Sequence, residues 1–144
     1  MTRHRRSLGR EGEERAARHL EARGYQIIAR NVRAARVEID LIARDGRALV
    51  FVEVKTRRLG THAAFGRHAS AAEAVDARKQ ARLRRGAAAW LADHPDARRG
   101  RRPVRFDVVT CLRDERRGVL APSNDDTAHP EDARWSIEHW EAAF

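Results

Sequence analysis

The sequence predicts an α/β fold built on a mixed sheet. Three observations carry this. Apolar periodicity switches in the order helix, three strands, helix, strand. An Asp45-Gly46 pair between two apolar segments is a hairpin signal. The chain has 144 residues, 42% of them hydrophobic, enough for one core and one domain over 1–144.

Residues 9–23 read as the first helix, with Ala16, Ala17 and Leu20 as its buried stripe and Gly24 as its stop. Residues 1–8 form a basic N-terminal arm. Residues 25–30 read as a short strand and 31–36 as a polar connection. Val37–Ala43 alternates and reads as a second strand. Ala48–Lys55 is a third strand, apolar enough at its start to be central. The tight turn makes the second and third strands an antiparallel hairpin. Residues 57–70 read as a loop, about 71–93 as a long helix, 93–103 as a loop and 104–112 as a fourth strand. A polar loop spans 113–134. The apolar tail 135–144, with Trp135, Ile137, Trp140 and Phe144, has no assignable type.

Composition bounds the function. Thirty Lys and Arg against 21 Asp and Glu give a formal net charge of +9. The charge is +6 over 1–36, +1 over 37–66, +7 over 67–118 and −5 over 119–144. Two basic blocks around a nearly neutral middle suit a polyanion such as DNA, and a solvated surface in an Arg-rich chain is the plainer alternative. The single cysteine, Cys111, excludes an intrachain disulfide and a Cys-based zinc cluster, and it reads as a buried small hydrophobe. No apolar run approaches a membrane span and no secretory signal is evident, so a cytoplasmic protein with no membrane partner is expected. The seven histidines show no compact ligand spacing. Core packing is the expected role of Trp90, Trp135 and Trp140.

Chemistry concentrates at Asp40, Glu53 and Lys55. Charges inside apolar strands are costly unless they have a task. A period of two puts Glu53 and Lys55 on one face, and the hairpin brings Asp40 near Glu53. Two carboxylates on adjacent strands can hold a hard divalent cation that keeps waters and accepts a phosphate oxygen. A nearby lysine can act on the water or stabilise charge on phosphate. Only Lys55 and Lys79 are lysine among the 30 cationic side chains, so lysine marks places where arginine's planar fork would not serve. The plainer alternative is a same-face Glu53–Lys55 ion pair. Glu38 shares a face with Asp40 by the same period.

These residues sit within a longer pattern. Gly12-Glu13, Gly24-Tyr25, Arg30-Asn31-Val32-Arg33, Glu38 to Ile42, Leu49 to Arg57, Ala74-Val75 with Lys79, and Arg105 to Val109 together resemble the YraN family of small bacterial proteins. The ending Ile137-Glu138-His139-Trp140 with Ala143-Phe144 resembles theirs too. That family looks like a branch of the PD-(D/E)XK, or restriction-endonuclease-like, superfamily and is similar to archaeal Holliday junction resolvases. The resemblance implies an αβββαβ core with a central mixed sheet flanked by helices. It also implies Mg²⁺ (or Mn²⁺) dependence and cleavage of DNA. Asp40 matches the motif aspartate, Glu53 and Lys55 match the (D/E)XK pair, and Glu13 matches the first-helix glutamate that completes the metal site. Glu14, next door, competes with Glu13 for that role. Arg33, Arg57, Arg58, Lys79 and Arg82 are the nucleic-acid-binding candidates. The pattern departs at Ile39, where the superfamily has proline, and at Val37, where the family has glycine.

The expectation is a Mg²⁺-dependent endonuclease that hydrolyses DNA phosphodiester bonds, selective for branched structures. Resolving a junction requires two active sites, hence a homodimer. The alternative is a non-catalytic nucleic-acid-binding module on the same fold. A third reading makes the apolar tail a docking surface for a protein partner.

Overall fold

A computed structural model describes residues 3–59, 75–100, 102–115 and 131–144. A five-stranded sheet in the order β1-β2-β3-β4-β5 forms the middle of the molecule. Helix α1 (Arg3–Ala22) covers one face and α2 (Ala77–Asp93) the other. The strands are β1 (Gln26–Ala34), β2 (Val37–Arg44), β3 (Leu49–Leu59), β4 (Val104–Asp114) and β5 (Trp135–Trp140). The β3–β4 pair is parallel and the other three pairs are antiparallel, so the sheet is mixed as expected. Its element order is consistent with a restriction-endonuclease-like core.

Helix α1 starts at Arg3, not near residue 9, so the described part of the basic arm forms its first turns. Gly24, at φ +89°, ends it in the left-handed conformation that glycine adopts most easily. The Tyr25 N–H then donates back to the Leu20 carbonyl at 3.0 Å. Strand β1 runs four residues beyond its expected end. Its register with β2 shifts between Ile27 and Ala29, and Asn31 has φ +50°. The segment 31–34 therefore pairs as strand despite its polar sequence. Ala35 and Arg36 (φ +48° and +61°) make a two-residue hairpin turn. Val37 packs on α2, where a Cβ on Gly86 would lie 2.9 Å from the Val37 Cβ. The valine that departs from the family pattern is thus accommodated by a side-chain-free position on the facing helix.

The β2–β3 hairpin forms through Asp45-Gly46 as expected. Asp45 Oδ1 accepts from the N–H groups of Arg47 (2.7 Å) and Ala48 (2.6 Å). Strand β3 is the middle strand of the five, and Leu49 to Glu53 are all buried. Helix α2 begins at Ala77 because the Asp76 side chain caps it, accepting from the Lys79 N–H at 2.8 Å. The expected helical residues 71–74 and the loop residues 60–70 lie outside the described residues. Strand β3 itself continues through Leu59.

The tail is strand β5, paired with β4 from Val108↔Trp140 to Arg113↔Trp135. Trp135 is buried beside α1, while Trp140 and Phe144 pack on Val75, Leu83 and Val108. The tail's apolar residues therefore belong to the core, which removes the basis for a free docking surface. Of the polar loop 113–134, residues 113–114 belong to β4 and Asp132–Arg134 form a short 3-10 turn. Residues 116–130 lie outside the described residues. Among the described residues no helix is long and apolar enough to cross a membrane.

Candidate active site

The site forms where β2 leaves β3. Their described pairing ends at Leu41↔Val52. Beyond it, Asp40 Oδ2 accepts the Val54 N–H at 2.8 Å. The carboxylate thus takes the place of a backbone carbonyl, satisfies an N–H the diverging strand no longer reaches, and is fixed beside Glu53.

Glu53 is 6% exposed on a strand whose preceding residues are all core. A buried carboxylate needs charge partners. Lys55 Nζ lies 3.7 Å from Glu53 Oε1 on the same strand face, and Lys79 Nζ lies 3.3 Å from the same oxygen, from α2. The same-face pair is therefore present, within a buried cleft and joined by a second lysine. The two lysines of the chain converge on one carboxylate. Sequence reasoning ranked Lys79 among the nucleic-acid contacts; Asp76 capping, which fixes the first turn of α2, is what brings it to Glu53.

Glu13 reaches the site from α1 because Gly12 lets the helix lie against β3. A Cβ at Gly12 would sit 2.0 Å from Thr56 Oγ1. The Cys111 thiol donates to the Gly12 carbonyl at 3.4 Å. Burial pushes that thiol up to about 12, so Cys111 is an inert core residue as expected. The Asn31 side chain lies close enough to Glu13 to lower its carboxyl, a neighbour the sequence reading missed. Its signal was its place in the Arg30-Asn31-Val32-Arg33 pattern; asparagine also tolerates the left-handed backbone found there.

Electrostatics distinguish this cluster from an ordinary ion pair. Burial raises the Asp40 carboxyl to about 8, helped by the charges of Glu53 and Glu13, while the Val54 N–H and Lys79 oppose the rise. Glu13 is also raised, by burial first and then by Glu38 and Glu53, with Asn31 opposing. Carboxylates pushed together at a cleft are a mark of a functional site. Glu38 acts here through its charge on Glu13 and is otherwise exposed. Glu14 instead turns outward to Arg30, at 2.7 Å.

A cleft of about 660 Å³ opens above these groups. Glu13, Asp40, Glu53 and Lys55 line it, with Arg57 and Arg58 at its β3 rim. Arg33 and Arg82 do not line it; both are exposed, on β1 and α2. Arg98 and Arg102 lie at the opposite end of the sheet, where Arg98 donates to the Arg102 carbonyl and Arg102 donates to the Asp45 carbonyl at 3.2 Å.

Among the described residues no three His, Cys, Asp or Glu side chains form a closed metal-binding group. A hard cation such as Mg²⁺ does not require one, since it keeps most of its waters and uses one or two carboxylates. Asp40 and Glu53 supply oxygen donors of that kind, and burial first, then the charges of Glu53 and Glu13, make ionisation of Asp40 costly, which a cation would offset. The donor set therefore fits an open, water-rich site.

A second ionic cluster lies on the α1 side of β4. Asp107, fully buried, accepts from Arg105 Nε at 2.8 Å and from the Ala142 N–H at 3.0 Å, and its Oδ2 lies 2.7 Å from His139 Nε2. It ties β4 to the chain terminus.

Comparison with known proteins bears on the whole chain. Residues 12–111 match the model of a family described as "Uncharacterised protein family UPF0102". The chain is 54% identical over 107 residues to a UPF0102 protein of Frankia casuarinae, covering 74% of this chain and 83% of that protein. It is 45% identical over 140 residues to a UPF0102 protein of Chlorobaculum tepidum, covering 95% and 91%. A UPF0102 protein of Symbiobacterium thermophilum is 53% identical over 106 residues, covering 72% and 80%.

Proposed function

The chain belongs to the UPF0102 family, the YraN family of the sequence resemblance, and from its site we propose that it is a divalent-metal-dependent nuclease that hydrolyses DNA phosphodiester bonds. The observation that carries this reading is the meeting of Asp40, Glu53 and Lys55 in a cleft rimmed by arginine, with Lys79 reaching Glu53 from α2.

Asp40 and Glu53 would hold Mg²⁺ or Mn²⁺, with Glu13 completing the site from α1. The bound cation would polarise a phosphoryl oxygen and acidify water. Lys55 places a positive charge where negative charge grows on the phosphate. Lys79 holds Glu53 in place from the opposite element. Arg57 and Arg58 take neighbouring phosphates, and Arg33 and Arg82 contact the nucleic acid beyond the cleft. Branched DNA is the favoured substrate, cut by a homodimer that presents two clefts.

The second reading, a nucleic-acid-binding module without catalysis, has one observation in its favour. Glu53 already has two ammonium partners, and no closed metal group forms among the described residues.

The test is cleavage of single-stranded, duplex, flapped and four-way DNA in Mg²⁺, Mn²⁺ and EDTA. Cutting that needs metal and is lost in Lys55→Ala supports the nuclease. DNA binding without cutting, unchanged in EDTA and in the variant, supports the binding module.

A further inference from the structure

Helix α1 has two glycines in its interior, and the chain's own packing explains one. Gly12 is required by the approach of Thr56. Among the described residues a Cβ at Gly9 would meet nothing within 4 Å, and no left-handed backbone calls for glycine there. A glycine inside a helix is destabilising relative to alanine, and no described residue requires this one. Gly9 lines the cleft, as do Arg5 and Leu8.

The spacing orders these residues. Arg5, Gly9 and Glu13 are four apart and follow one ridge of the helix. A cation stands at the outer end, bare backbone in the middle and a carboxylate at the inner end. The ridge spans about 12 Å, or roughly three to four nucleotides of one strand. Arg57 and Arg58 face it across the opening, and Leu8 adds an apolar surface beside it. Arg5 is exposed and has no ion pair among the described residues.

We infer that the bare helix surface at Gly9 is where one nucleic-acid strand lies against α1, held between Arg5 and the Arg57–Arg58 rim. Gly9 is a positioning residue: it lets the sugar-phosphate backbone approach the helix closely enough for a phosphate to reach the carboxylates. The inference rests on the nucleic-acid reading of the cleft.

The experiment measures binding of a fluorescein-labelled DNA strand by anisotropy, in Ca²⁺ and in EDTA, across a salt series. Wild type, Gly9→Ala and Gly9→Leu are compared, each with a thermal melt. Both variants should melt at or above wild type, because both residues are better helix formers. Affinity should fall from Gly to Ala to Leu, by roughly tenfold or more for Leu, with the salt slope reduced by about one as a phosphate contact is lost. Wild-type affinity and slope in Gly9→Leu would overturn the inference and leave the nucleic-acid reading standing. A lower melting temperature for Gly9→Ala would show that the glycine serves internal packing, and would overturn it as well. If wild type binds no DNA under either condition, the nucleic-acid reading fails and the inference with it.

Discussion

Replacing Asp40 by Asn should make the metal-free protein more stable at neutral pH. The amide oxygen can still accept the Val54 N–H, so the substitution removes the titrating carboxyl and little else. The native carboxyl titrates near 8 against 3.8 for the ordinary group. Between those values the folded protein holds a proton that the unfolded chain has released, so stability falls as pH rises through the window. The slope is at most 1.36 kcal/mol per pH unit, which gives on the order of 4 kcal/mol by pH 7 in a dry site. Water in the open cleft screens part of this, leaving ~2 kcal/mol, or roughly 4–8 °C in melting temperature for a domain of this size. The assay is urea and thermal unfolding in EDTA at pH 5, 7 and 9. The variant should gain most at the higher pH values and show a flatter profile. A variant no more stable than wild type at pH 7, with the same pH slope, would refute the claim that this site raises the Asp40 carboxyl far above its ordinary value.

Gly12→Ala should destabilise by ~1–3 kcal/mol, because its Cβ would meet Thr56 Oγ1 and push α1 off β3; denaturant melts of Gly12→Ala with and without Thr56→Ala should show partial rescue in the double variant. Ala35→Asn combined with Arg36→Gly should stabilise by about 1 kcal/mol, since both positions have positive φ in a two-residue hairpin turn; an unchanged urea midpoint would count against that turn. Asp107→Ala should cost ~1–3 kcal/mol, because His139 and the Ala142 N–H lose their buried acceptor while Arg105 keeps its ion pair to Asp45. Arg105 and His139 outweigh burial and hold the Asp107 carboxyl below its ordinary value, so its stabilisation is complete above that value and disappears as pH falls through the native one. Acid unfolding of wild type should show that loss, and Asp107→Ala should lack it.

The parts of the fold legible in the sequence are those set by local pattern. The β2–β3 hairpin follows from apolar segments around Asp45-Gly46, and the central place of β3 from its apolar start. Boundaries failed where tertiary contacts override local preference. The first turns of α1 are arginine-rich and border the cleft, and only Leu8 among them packs against the core. Strand β1 extends through a polar stretch because an irregular edge strand tolerates Asn31 at positive φ. Strand β5 could not be typed because Trp135 and Trp140 face opposite sides of the sheet and both pack inward. In the site, the meeting of Asp40, Glu53 and Lys55 was readable from strand period and turn position. Lys79 and Asn31 were not, since only the packing of α2 and the bend of β1 bring them in. The Asp107 cluster joins β4 to the tail at His139 and Ala142, more than 30 residues on, and leaves no local trace.

The central claim is that the carboxylate–lysine cleft is a nuclease centre. Its most direct test is the single-turnover cleavage rate in Mg²⁺ on the DNA form that wild type cuts best, for wild type, Glu53→Gln and Lys55→Ala, with each variant's fold checked by its melt. Both variants should stay folded and lose roughly 100-fold or more in rate. Rates within a few-fold of wild type in either folded variant would contradict the account and place any cleavage activity elsewhere.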